Sequence, residues 1–358
     1  MQVIKNNIEC EWKSLAGCHA YMSKAMFELA VQDVATLRAQ SPALAEMVTV
    51  VRKESTNPSL QDLRIPKAAG AIIQKKAASL WPYKFVATEL EDSIIHKDLN
   101  LQTNTMVVKL QYSEGEWLVH TSRGIISAPK VLLCTNAYTS ALVPSFEDLI
   151  VPVRGEMSSL LPPSSMKPAS TIHKPLDYSY AFLGHGSQSI EQDDYLVQRP
   201  FDPFSSPTSQ SSGGELMFGG ARSYAVGAGV GISDDSSIDK PAAAYLRREL
   251  NVVLDLQNND EELPASYEWS GIMGFSRDGY PWVGPVAEGG LWVCAGFTGH
   301  GMPNAWLCGK AAAEMLLGKE RKEIDLPEQY FITSERIAKA RMMDEVWLAD
   351  SKAFVDRG

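Results

Sequence analysis

The sequence predicts a mixed α/β fold in which a sheet-rich stretch is set inside a chain of helices and strands. Three observations point there. Hydrophobic residues make up 45% of the 358 and charged residues 21%, the balance of a globular chain able to bury a sizeable core. Apolar residues recur at helical spacing in some stretches and alternate in others. The texture shifts near Val151 to short strand-like fragments broken by Pro, Ser and Gly, and shifts back after residue 265. These changes divide the chain into 1–150, 151–265 and 266–358.

Taken in order, Met26, Phe27, Ala30, Val34 and Leu37 have helical spacing after Ser23, a good N-cap, and Ser41-Pro42 ends that helix. AAGAIIQKKAASL reads as a strand, and the Trp81-Pro82 turn opens a second helix over 82–95. LNLQTNTMVVKLQ, EWLVHTS and GIISAPKVLLC form three β-rich runs split by Ser-Glu-Gly and Ser-Arg-Gly turns. The last ends in VLLC, continuously apolar as a strand covered on both faces should be. VPVRGEMSSL, DYLVQRPF and ELMFGGARSY are further strands, PFSSPTSQSSGG is a loose surface loop and GAGVG at 227–231 a hairpin loop. A helix follows over 239–256, and SERIAKARMMDEVWL could close the chain as another. No internal repeat is visible.

A net charge of −10 without any Lys/Arg-rich run argues against nucleic acid or an anionic membrane and makes a small molecule the default partner. The five cysteines are odd in number, widely spaced and mostly set in apolar runs, so they read as buried reduced thiols and not as a disulfide frame or zinc site. The six histidines lack paired ligand spacing, and no metal is expected. No signal sequence and no membrane span is visible, which leads to the expectation of a cytoplasmic protein.

The most informative local pattern is LWVCA followed by Gly296-Phe297-Thr298-Gly299-His300-Gly301 and a helix. A strand, a glycine turn and a helix N-terminus aim backbone N–H groups and a positive dipole end at one point, suited to a phosphate, a carboxylate or an electron-rich ring edge. The order is GxxGxG and not the GxGxxG of an ADP-binding turn. From the pattern alone, close strand-to-helix packing and ligand contact remain equally open.

GAIIQKKAASLWPYK, NLQTNT, VLLCTNAYTS, VPVRGEMS, YLVQRP, GELMFGG, WSGIMGFSRDGYPWVG and AGFTGHGMPNAWLCGKAAAEMLLG, in this order, resemble successive blocks of the FAD-dependent oxidoreductases of the D-amino-acid-oxidase and glycine-oxidase type. The resemblance implies an incomplete Rossmann-like FAD-binding domain interleaved with a mixed or antiparallel-sheet substrate domain. It implies that Gly296, Phe297, Thr298, Gly299, His300, Gly301 and Met302 lie against the flavin ring and ribityl chain. Val107 would touch the adenine through its backbone, and Cys134, Thr135 and Asn136 would occupy a small-residue turn. His300, Arg154 and Arg277 are the catalytic candidates, while Tyr195 and Arg199 are candidates for a substrate carboxylate, which guanidinium pairs bidentately. For Arg154 a supporting salt bridge, and for His300 packing on the strand, are equally open readings. The family's opening strand, GxGxxG turn and ribose-binding acid have no counterpart in the chain, so the phosphate contacts they make are expected to be missing. A partner chain or a second copy could cover the place of that unit.

Three function classes remain: oxidation of a C–N bond in an amine or amino-acid-like molecule, a flavin-free cyclase or isomerase of secondary metabolism, and a noncatalytic partner protein. Bound flavin would separate the first from the others.

Overall fold

In the computed structural model, residue 3 and residues 7–167, 174–184, 193–202, 213–258, 260–287 and 289–343 are described. They open with β1 (Lys13–Tyr21) and α1 (Lys24–Gln40), where the Ser23 hydroxyl accepts the Met26 N–H as the N-cap. β2 (Val48–Val51), β3 (Gly70–Ser79) and α2 (Pro82–Ile95) follow. Then come β4 (Val107–Ser113), β5 (Glu116–Thr121), β6 (Gly124–Ala128), β7 (Val131–Leu133), β8 (Ile150–Leu160), β9 (Tyr178–Leu183), β10 (Asp193–Gln198) and β11 (Leu216–Gly220). The chain ends with α3 (Lys240–Val253), β12 (Ala265–Ser276), β13 (Trp282–Ala287), β14 (Leu291–Ala295), α4 (Gly301–Leu316) and α5 (Ser334–Met342).

The mixed α/β reading holds. Two compact units form, one from 1–101, 156–225 and 238–270, the other from 102–155, 226–237 and 271–358. These limits differ from divisions at 150 and 265: the first hundred residues join the sheet-rich unit. The reason is backbone pairing, since β1 lies parallel to β9 and antiparallel to β3, and so completes one eight-stranded sheet of order β12-β8-β11-β10-β9-β1-β3-β2. Over this unit's core α3 buries Ala242, Leu246, Leu250 and Val253, one face of a helix, among Phe182, Leu196, Leu216 and Phe218.

In the second unit β7 pairs parallel to β14, which pairs antiparallel to β13, while β4, β5 and β6 form an antiparallel meander. Its core gathers Phe146, Leu149, Ile150, Trp282, Leu291 and Val293, with Ala340 of α5. The glycines at 227–231 do not close a hairpin. Gly227, Ala228 and Gly229 all take positive φ in a 3-10 turn, and Val230 bridges to Val153 of β8. Most of PFSSPTSQSSGG, and the closing helix beyond Met343, lie outside the described residues.

Candidate functional site

The glycine turn leaves β14 at Gly296, whose φ is 77°. A Cβ built there would stand 3.0 Å from the Trp282 ring and 3.2 Å from the Ile150 side chain, so both the backbone angle and the space select glycine. Thr298 and Gly299 also take positive φ, at 52° and 72°. An accounting of N–H groups shows what the turn leaves over. Gly296 and Phe297 donate to Asn136 Oδ1 at 2.9 and 3.3 Å. Thr298 donates to the Gly274 carbonyl and His300 to the Phe297 carbonyl. Pro303 has no N–H to give. The amides of Gly299, Gly301 and Met302 find no acceptor among the described residues, and the last two open α4, where the helix dipole is positive.

Strand pairing brings a second segment to this turn. Leu133 of β7 is in register with Val293 of β14, so Cys134, Thr135 and Asn136 run beside 294–296. Asn136, at φ 41°, spends its side-chain oxygen on the glycine turn, and the Thr135 and Thr139 hydroxyls share a hydrogen bond of 2.9 Å. Burial pushes the Cys294 thiol up to about 12, with Cys134 and Cys308 nearby adding to the effect, and pushes Cys308 to about 11. Both stay protonated at neutral pH. Val107 sits half-buried at the start of β4 in the same unit.

His300 places Nδ1 2.8 Å from the Thr298 carbonyl. A carbonyl only accepts, so Nδ1 carries a proton, and Nε2 of this exposed ring is the nitrogen left to exchange one. Arg154 reaches the Ser237 hydroxyl at 3.4 Å. Its charge also helps hold the Asp234 carboxyl below its usual range, after the larger effect of hydrogen bonds from Ser236. Nearby, the Tyr138 hydroxyl is held above its ordinary value, by burial first and then by Asp235 and Asp234.

Two of the guanidinium groups named from sequence have other work. Arg277 donates to the carbonyls of Asp148 and Met343, at 3.4 and 3.0 Å, and so ties down the C-terminal segment instead of opening toward a ligand. Arg199 is not an open carboxylate clamp: Glu11 at 3.3 Å and Glu215 at 3.1 Å already neutralise it, and it lies 4.9 Å over the Trp81 ring. Tyr195 stands half-exposed on β10 of that same first unit, opposite Gly219. Sequence reasoning missed Gly274 and Ser276, which receive the turn's Thr298 amide and meet its hydroxyl, and it missed Trp282 beneath Gly296. The SRDGYPW run was the available signal. Among the described residues no cluster of three metal-ligating side chains occurs, and no helix is long and apolar enough to cross a membrane.

The model of the DAO family, FAD dependent oxidoreductases, matches residues 2–315. The chain belongs to this family. A probable oxidoreductase, OrdL, of Rhizobium meliloti is 25% identical over 232 residues, which are 64% of this chain and 45% of that protein. The chain thus spans less than half the length of this curated relative. Among solved structures it is similar to glycine oxidase from Geobacillus kaustophilus, with a TM-score of 0.68 at 18% identity over 93% of this chain and 78% of the other. It is also similar to iminodiacetate oxidase from Chelativorans sp. BNC1, with a TM-score of 0.65 at 13% identity over 92% and 81% of the two chains. At these identities the likeness is one of fold: the chain has the fold of the DAO enzymes.

The residues present fit the ring end of FAD. Three unspent N–H groups at a positive helix end suit an edge that gains negative charge on reduction, and two of them belong to Gly299 and Gly301, which present no Cβ to a flat ring. No strand, GxGxxG turn and helix follow one another among the described residues, so the pyrophosphate has no such cradle there.

Proposed function

We propose that this DAO-family chain takes part in the oxidation of a C–N bond in a small amine or amino-acid-like substrate, with the flavin ring against the turn 296–302. What carries the reading is the set of unspent Gly299, Gly301 and Met302 amides at the start of α4. Bound FAD supplies an acceptor for the hydride that leaves the carbon next to nitrogen. The chain's own residues bind, orient and handle protons around that event. Gly299, Gly301 and Met302 hold the ring edge, and Asn136 keeps the turn in shape through the Gly296 and Phe297 amides. Met302 and His300 lie on the exposed side of the turn, and Nε2 of His300 takes a proton from a substrate ammonium in this reading, so that the neutral amine is the form oxidised. Arg154 is the cation proposed to face a substrate carboxylate, with Ser237 holding its guanidinium. The names of the similar structures, a glycine oxidase and an iminodiacetate oxidase, support amino acids with a primary or secondary amine as the substrate class.

The test is anaerobic mixing of the FAD-loaded protein with glycine, proline, iminodiacetate, N-methylated amino acids and simple alkylamines. Bleaching of the visible flavin band by at least one of them, with recovery in air, is the expected result. A protein whose flavin dithionite reduces but none of these amines does would overturn the C–N assignment, and one that takes up no FAD would overturn the whole reading.

A further inference from the structure

Helix α5 lies beyond the stretch that the family model matches, which ends at residue 315. It carries Arg336, one of the most completely bonded side chains described. All five guanidinium N–H groups are spent. Nε and Nη2 grip both oxygens of Asp278 at 2.8 and 2.9 Å, Nη1 donates to the carbonyls of Pro281 and Tyr330, and Nη2 donates to that of Tyr280. Arg336 and Asp278 are each only 11% exposed, and the guanidinium lies 3.7 Å from the centre of the Trp282 ring. Such a fork, stacked and two-pronged, fixes a position as well as a charge.

Trp282 carries that position onward. Its ring is fully buried, and its Nε1 donates to Ser276 Oγ at 2.8 Å, which in turn donates to Asp278 Oδ1 at 2.8 Å. The backbone N–H of Ser276 donates to Thr298 Oγ1, and the Trp282 ring edge is what a Cβ on Gly296 would strike. Arg336 therefore reaches the glycine turn by two routes, one through the Trp282 ring to Gly296 and a longer one through Asp278 and Ser276 to Thr298.

We propose that Arg336 is a positioning residue for the turn 296–302: α5 sets the seat of Trp282 and Ser276, and these set the strained backbone of the turn. That this also tunes flavin affinity rests on the function proposed above. The control is Arg341, which anchors the same helix through Asp148 and the Ser145 carbonyl but has no bond to the 276–282 segment.

The experiment compares the wild-type chain, Arg336→Ala, Arg336→Lys, Ser276→Ala and Arg341→Ala by amide hydrogen exchange without flavin, and by FAD titration. Arg336→Ala is expected to speed exchange at Gly296 and Thr298 by about tenfold, with strands of the first unit unchanged and with FAD affinity about tenfold weaker. Arg336→Lys keeps the charge but not the fork, and Ser276→Ala cuts one route. Both are expected to speed exchange at the same two amides by about threefold or more. Arg341→Ala should leave them within about twofold of the wild type. Exchange at the turn that is equal in the Arg336 and Arg341 variants overturns the proposal. Should Arg336→Ala fail to fold, turn exchange within about twofold of the wild type in both Arg336→Lys and Ser276→Ala overturns it. A wild type that binds no FAD while the exchange pattern holds would refute the proposed function and leave the positioning role standing.

Discussion

Asn136 meets two demands at once, a φ of 41° and two hydrogen bonds accepted from the facing strand end. They separate on substitution. Asn136→Gly suits the dihedral but strands the Gly296 and Phe297 amides, and is expected to destabilise the protein by about 1–2 kcal/mol. Asn136→Asp keeps the acceptor and should lose less; thermal unfolding ranks the two, and the reverse order would mean that the side-chain oxygen does not hold the turn. Gly296→Ala combines a positive φ with a 3.0 Å approach to Trp282 and should be worse, by about 2–4 kcal/mol. His300 provides the kinetic counterpart: His300→Ala should lower kcat by about 10²-fold at unchanged flavin content, and a change in flavin content alone would reduce it to a packing residue.

At the scale of elements, helices were the most legible. Ser23 and Trp81-Pro82 marked the starts of α1 and α2, and α3 was read as a helix over 239–256. Asp239 caps α3 by accepting the Ala242 N–H, and Asp239→Ala should cost about 1 kcal/mol in unfolding free energy. β1 was not legible. KSLAGCHAY is poor in β-branched residues, and it is a strand because β3 and β9 offer it partners on both sides. The 227–231 glycines misled for the opposite reason, since a turn signal does not say whether strands flank it. In the site, the glycine turn and the 134–136 segment showed in the sequence. The partners of Arg199 and the clamp of Arg336 on Asp278 did not, because those contacts join residues that only the fold brings near.

For the whole molecule, the pairing of β1 with β9, 162 residues apart, decided which segments share a unit, and no change of composition announces that. Burial also gives the molecule a pH dependence. Cys18 in the first unit is pushed up to about 12, as is Cys294 in the second, and Cys308 to about 11. In the unfolded chain these thiols ionise near pH 8.5, so the unfolded state binds fewer protons above that pH. Stability is then fully present below about pH 8.5 and falls as pH rises toward 11–12, by about 1.4 kcal/mol per pH unit for each thiol. Denaturant midpoints between pH 8 and 11 check this, and a flat profile would mean the thiols are less buried in solution. Ligand linkage should show as well: FAD at about 100 times its Kd adds about 2.7 kcal/mol, visible as a rise in Tm. The most direct measurement is the reduction potential of the flavin bound to the purified protein, set beside that of free FAD. The positive end of α4 at the ring edge predicts a potential above that of the free cofactor. A bound flavin with a lower potential, or none bound, would contradict the placement of the ring at 296–302.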